Sequence, residues 1–257
     1  MPKGNLFIMG GGDRNKNLMQ QLMKTAAMGS KDYIVVLPMS SEEPDTSFFY
    51  IKQDFDSVSN SPIVSFNFTA NKVNNTRWLD SLQHAKLIFI TGGDQSRFMK
   101  AVLNTPVFKI IHDAYNNGAT IAGTSAGAAV MSKLMITGNQ LRGDTEYHPT
   151  FDRLWKSNIE FQEGLGLLDS VIVDQHFIVR SRYNRLLSAL AEYPAYTCIG
   201  VDEATAIIVH QNKITVAGES EVIVLKHPQQ LSIDKGLIKF KDVEMSIYTG
   251  GDNFELK

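Results

Sequence analysis

The chain has 257 residues, 43% of them hydrophobic and 20% charged, with a formal net charge of -2. That length supports a large α/β domain around a full core, and near-neutrality gives no general attraction to phosphate backbones or anionic lipid, so neither nucleic acid nor membrane is an expected partner. A single cysteine, Cys198, excludes an internal disulfide and a cysteine-based metal cluster, and its setting in AYTCIGV marks a buried core thiol.

The first predicted strand is NLFIM, residues 5–9, followed by the glycine-rich MGGGDRN of residues 9–15. The glycine run lacks both G-x-G-x-x-G and the Lys-Ser/Thr of a phosphate loop, so it does not read as a nucleotide site. Its apolar stretch is also too short for a signal-peptide core, and no later run approaches a membrane span, which leaves a cytoplasmic protein as the expectation. Further strands are expected at YIVVLP (33–38), KLIFIT (86–91), ATIAG (119–123) and SVIVDQ (170–175). These are short β-branched runs without alternation, as strands covered on both faces should be. Between 86–91 and 119–123, Thr105-Pro106 opens a helix whose apolar residues Val107, Ile110, Ile111 and Ala114 recur at spacings of three and four before Asn117-Gly118 ends it. The βα alternation from residue 5 to about 190 predicts an α/β fold with a doubly wound, mostly parallel sheet flanked by helices, whose ligands sit beyond the carboxyl ends of the strands.

Two loops at those ends carry chemistry. In ITGGDQSRF (90–98), Asp94 caps a helix, the glycine amides can complete an oxyanion hole, and Gln95 is placed to hold substrate. In IAGTSAGAAVM (121–131), Gly123-Thr124-Ser125-Ala126-Gly127 matches the G-x-S-x-G nucleophile elbow, with an apolar strand before it and the helix-forming run AGAAVMSKLM after it. The Ala126 amide and the helix start beneath it favour developing negative charge. The stretch from Met135 to Glu163 is polar and weakly periodic and reads as a long loop or lid.

A serine nucleophile needs a base and an orienting acid. His84, His112 and His210 are isolated in or beside predicted elements, His227 precedes Pro228, and His148 lies in the polar stretch. His176 differs, because it ends strand 170–175 at the edge where Ser125 should project and is followed by Arg180, Arg182 and Arg185. Three clustered guanidinium groups there suit a substrate carboxylate, which arginine grips through two parallel hydrogen bonds. The acid lies in GVDEATA (200–206), where Asp202 and Glu203 should point to opposite sides so that one reaches the imidazole; spacing does not decide which. TAIIVH, KITVAG and EVIVLK then read as strands of hairpins added to the edge of the same domain, and a single domain over 1–257 is expected.

Taken together and in order, ITGGDQSRF, IAGTSAGAAVM, DQHFIVRSRYNRL and GVDEATA closely resemble the cyanophycinases and, more distantly, the aspartyl dipeptidases known as peptidase E. The resemblance implies a class I glutamine amidotransferase-like fold, commonly dimeric, with Ser125 as nucleophile, His176 as base and Glu203 as orienting acid. It also implies oxyanion amides at Gly93 and Ala126, a substrate pocket built with Gln95, Gln175, Arg180, Arg182 and Arg185, and no cofactor or metal. The implied reaction is exohydrolysis of cyanophycin, a poly-aspartate with arginine on each side-chain carboxyl, to β-Asp-Arg dipeptides; the alternatives are a dipeptidase for short aspartyl peptides and a catalytically silent ligand-binding relative. Asp144, Glu146 and Asp174 are candidates to meet the substrate's guanidinium. The Ser, His, Glu order argues against an α/β-hydrolase lipase or esterase.

Overall fold

The computed structural model describes residues 1–143 and 148–256. In chain order its elements are β1 (Asn5–Met9), α1 (Lys16–Ala26), β2 (Ile34–Leu37), α2 (Pro44–Asp56), β3 (Ile63–Ser65), α3 (Thr76–Gln83), β4 (Leu87–Ile90), α4 (Gln95–Val102), α5 (Pro106–Asn117), β5 (Thr120–Thr124) and α6 (Ala126–Ala129). They continue with β6 (Leu134–Gln140), β7 (Ile159–Glu163), β8 (Val171–Gln175), α7 (Tyr183–Glu192), β9 (Thr197–Val201), β10 (Thr205–His210), β11 (Lys213–Gly218), β12 (Val222–Gln229), β13 (Ser232–Asp234), β14 (Leu237–Lys239), β15 (Asp242–Tyr248) and β16 (Asn253–Glu255).

The main sheet runs β16-β11-β10-β1-β5-β4-β2-β3. From β1 to β3 it is parallel, and β10, β11 and β16 extend it antiparallel. Its central strands are apolar on both faces, as their unbroken hydrophobic runs require. In β1, Phe7 and Met9 join the cluster formed with Leu18, Leu22, Ile51 and Phe55 of α1 and α2, whereas Leu6 and Ile8 join the one formed with Leu82, Phe98 and Ile111 of α3, α4 and α5. Helices therefore cover both faces, and the doubly wound expectation describes this part of the molecule.

The strand at 170–175 does not continue the main sheet. β10 pairs with the free side of β1, which takes the position a further parallel strand would need. β8 and β9 instead pair in parallel with each other and, with β12 and β15, build a second sheet in the order β15-β12-β9-β8. Val173, Ile199, Val201, Val222 and Val224 pack into the same cluster as Leu6 and Ile8, so the second sheet rests on the first. Its other face is covered by Leu186, Ala189 and Leu190 of α7, and buried Cys198 belongs to that layer, where burial pushes its thiol pKa up. Of the three late strands read as edge hairpins, β10 and β11 match that reading on the main sheet and β12 belongs to this second sheet.

Two other expectations are revised. The run after Ser125 gives one helical turn, α6, because the N–H groups of Leu165 and Leu168 take the carbonyls of Val130 and Met131 and end the ladder. Within the stretch 135–163, read as a long loop or lid, β6 and β7 pair as a hairpin with Met135, Ile136 and Ile159 buried, while the described residues between them lie outside both strands. A bulge between Ile136 and Gln140, with Gly138 at φ 101°, breaks the two-residue period that would have marked the strands. Asp144 and Glu146 lie outside the described residues. Among the described residues no helix is long and apolar enough to cross a membrane.

Candidate active site

The site forms where three chain segments meet the end of β1, and glycines make the meeting possible. Ser125 N–H donates to Met9 O (3.1 Å), His176 N–H to Gly10 O (2.7 Å) and Ala204 N–H to Gly11 O (3.0 Å), so consecutive carbonyls of one strand end hold the three segments. A Cβ on Gly11 (φ 109°) would lie 2.3 Å from His176 Cε1, and one on Gly12 would lie 2.6 Å from Glu203 Cβ. The glycine-rich run that carries no nucleotide signature is thus the floor under the imidazole and the carboxylate.

The elbow is built as its spacing implies. Ser125 sits at φ 52°, ψ -108°, a costly conformation for a non-glycine residue that the surrounding contacts enforce. A Cβ on Gly123 would lie 2.2 Å from Gly127 O, and one on Gly127 would lie 2.3 Å from Ile90 O. Only glycine lets strand and turn approach this closely. Ser125 Oγ lies 2.8 Å from His176 Nε2, and His176 Nδ1 lies 2.5 Å from Glu203 Oε1. A carboxylate only accepts, so Nδ1 carries the proton, and Nε2 is left to accept from the serine hydroxyl. His176 too has a left-handed backbone (φ 49°), with its side chain nearly buried. Burial is the main cause of its lowered pKa; the Arg180 and Arg182 charges lower it further, and Glu203 opposes them. The ring is therefore neutral at neutral pH, the form that accepts a proton.

Asp202 faces away from the imidazole. Its Oδ1 accepts from Ile178 N (2.9 Å) and Val179 N (3.1 Å), and its Oδ2 from Ser220 Oγ (2.8 Å), which fastens the turn that follows His176. Of the two adjacent acids left open by the spacing, Glu203 is the one beside the His176 imidazole.

The flanking residues divide. Ala126 starts α6, so its N–H has no intrahelical acceptor and stands directly after the serine. Gly92 faces the elbow, its notional Cβ 3.6 Å from that of Ser125, and Gly93 (φ 135°) packs on Ser40 O. Gln95 gives its amide hydrogens to Ile136 O (3.0 Å) and Thr137 O (2.6 Å), which ties β6 to α4. The anion pocket expected from the arginines is not presented by two of them. Arg185, 2% exposed, donates Nε to Asp174 Oδ2 (2.8 Å) and also engages Oδ1; Arg182, 2% exposed, donates to Gln175 O (2.6 Å) and Gln175 Oε1 (2.5 Å). Asp174 and Gln175 thus occupy the very donors that were to grip substrate, and Asp174, 1% exposed on its side chain, is spent on arginine and does not meet a substrate guanidinium. Arg180, beside His176 and half-buried, is the arginine of the three at the site's edge.

The cleft above Ser125 has a volume of about 340 Å³, and much of its lining escaped sequence reasoning. Gly11, Gly12 and Arg14 form one side, Ser47, Tyr50 and Ile51 of α2 another, with Gly92, Thr124, Ser125 and His176 at the base. The α2 residues carry no chemical motif; the glycine run directly after a buried strand was the available signal. No group of three or more His, Cys, Asp or Glu among the described residues is arranged to hold a metal ion.

Comparison with known proteins gives the family of the chain. The model of peptidase family S51 matches residues 6–217. A curated cyanophycinase from Trichormus variabilis is 31% identical over 258 aligned positions, covering 96% of this chain and 84% of that protein, and one from Geminocystis herdmanii is 27% identical, covering 99% and 94%. The crystal structure of a peptidase from an acI-B1 Actinobacterium has the same fold, with a TM-score of 0.73 at 19% identity over 99% of this chain and 98% of that one. The match over residues 6–217 takes in the parallel part of the main sheet, β8 and β9 of the second sheet and all three segments that converge on β1; the chain belongs to peptidase family S51 and is a serine-type peptidase.

Proposed function

We propose that this peptidase hydrolyses cyanophycin from its end to β-Asp-Arg dipeptides, with Ser125 as nucleophile, His176 as base and Glu203 as orienting acid. The observation that carries the mechanism is the unbroken series Ser125 Oγ, His176 Nε2, His176 Nδ1, Glu203 Oε1 at 2.8 and 2.5 Å. The name of the curated relatives supports the substrate.

Ser125 Oγ attacks the scissile carbonyl carbon while Nε2 takes its proton, and the carbonyl oxygen becomes an oxyanion held by the amides of Gly93 and Ala126. Collapse of the tetrahedral intermediate breaks the C–N bond as the imidazolium gives that proton to the departing nitrogen. Water then adds to the acyl carbon as it loses a proton to the same base, and collapse breaks the C–O bond to Ser125 as the imidazolium returns that proton to Oγ, releasing the acyl group as a carboxylic acid. Glu203 keeps the proton on Nδ1 and stabilises the imidazolium in each half-reaction. In this scheme Arg180 borders the substrate, while Arg182, Arg185, Gln175 and Gln95 brace the walls.

The burial of Arg182 and Arg185 favours a second reading, hydrolysis of short aspartyl peptides, because fewer cationic groups remain to line an extended polymer site. Incubation with cyanophycin and with Asp-X dipeptides, followed by product analysis, separates the two. In either case Ser125→Ala is expected to lower turnover by at least about 10³-fold with an unchanged melting temperature, since alanine is tolerated at an elbow. Substantial turnover in that variant removes the mechanism. A homodimer is part of the proposal, and a sedimentation mass of one chain would remove that part.

A further inference from the structure

Arg14 is the one formally charged residue among those lining the cleft at Ser125, apart from His176. It follows the glycine floor, and its side chain is 22% exposed, neither withdrawn into the core nor free in solvent. Its Nε donates to Asp54 Oδ2 at 2.7 Å, and its terminal nitrogens have no hydrogen-bond partner among the described residues. Asp54 lies one helical turn beyond Tyr50 and Ile51 on α2, and Ser47 lies one turn before them, so the helix face that walls the cleft also steers the guanidinium. Held by Nε, an arginine presents the edge bearing its two terminal nitrogens, the edge that matches a carboxylate through two parallel bonds. The arginines after His176 contrast with it: Arg182 and Arg185 are buried against Gln175 and Asp174.

We infer that Arg14 is the residue by which this cleft selects acidic substrates, pairing with a carboxylate carried by the residue that supplies the scissile carbonyl. The inference rests on the serine-peptidase reading of the same site. Two sources offer that chemistry, the side chain of an unmodified aspartyl residue and the free α-carboxylate of an arginine branched from it, and the test separates them.

The wild-type protein and Arg14→Gln are compared on the dipeptide Asp-Leu against Asn-Leu, and on cyanophycin against cyanophycin with its arginine carboxylates amidated. On whichever acidic substrate is used, Arg14→Gln is expected to lower kcat/KM roughly 10- to 100-fold, mostly through KM, and to change the neutral partner less than about threefold. Arg14→Lys, which keeps the charge but loses the fork, should fall between. Equal losses on acidic and neutral partners, or no loss, overturn the inference. The same comparison is read as affinity by calorimetry on Ser125→Ala, with and without Arg14→Gln, so that it does not depend on turnover; there too, equal affinity for acidic and neutral partners, or no binding of either, overturns it. Turnover persisting in Ser125→Ala would instead strike the mechanism, so the two failures are distinguishable.

Discussion

The glycine floor at the end of β1 and the arginine-bearing segment after His176 both adjoin the same imidazole, and they differ in how they use charge. The floor has no side chains of its own, yet it holds the His176 and Glu203 segments by close backbone contact and sets Arg14 at the cleft. The segment from His176 into α7 carries three guanidinium groups, yet Arg182 and Arg185 are buried against Gln175 and Asp174. A charged residue near a base is not thereby a substrate ligand. What decides is whether a partner within the fold has already taken its donors.

Three experiments press on this contrast. The largest effect is expected from the acids beside the floor: Glu203→Gln should lower kcat by about 10³-fold or more, by losing the charge that orients and stabilises the imidazolium. Asp202→Asn should act mainly on stability, by about 1–3 kcal/mol, since it holds amides and a hydroxyl. Paired kinetics and denaturant titrations read both, and the reverse order would show that the other acid serves the base. Next, Asp174→Ala should cost about 3–5 kcal/mol by leaving Arg185 buried without its carboxylate, and adding Arg185→Met should recover much of that. A large rise in KM at undiminished stability would instead mean that these arginines reach substrate. The smallest effect is in the pH profile. Because burial and the neighbouring arginines lower the His176 pKa, the acid limb of kcat/KM should have its midpoint below about 6.5, with activity lost as the falling pH protonates Nε2. Arg180→Gln removes one lowering charge and should move that midpoint upward.

Much of the architecture was legible because it rests on local signals. The buried β-branched runs mark β1, β2, β4, β5 and β8, and Pro106 and Gly118 bracket α5 where expected. The elbow was legible because its glycines are demanded by backbone approach at Gly123 and Gly127. The second sheet was not, because whether β8 extends the main sheet depends on β10 reaching β1 from two hundred residues away. The β6–β7 hairpin was hidden by its bulge. Within the site, Ser125 and His176 were legible at strand ends and the choice of Glu203 over Asp202 came only from the family resemblance, whereas the burial of Arg182 and Arg185 depends on Asp174 facing α7, which spacing alone does not reveal. Ser47, Tyr50 and Asp54 went unnoticed because a helix wall leaves no motif.

The three successive carbonyls at the end of β1 have a consequence for when this molecule first becomes a hydrolase. β1 is made before the other strands described here, whereas its neighbour β10 follows only at Thr205–His210, and the segments of His176 and Ala204 that attach to the carbonyls of Gly10 and Gly11 are also made long after β1. A half-emerged chain, or one cut before residue 176, carries the Ser125 elbow without His176 or Glu203 opposite it. Under the proposed mechanism, hydrolysis can begin only once residues 176 and 203 have both been made and have reached the end of β1.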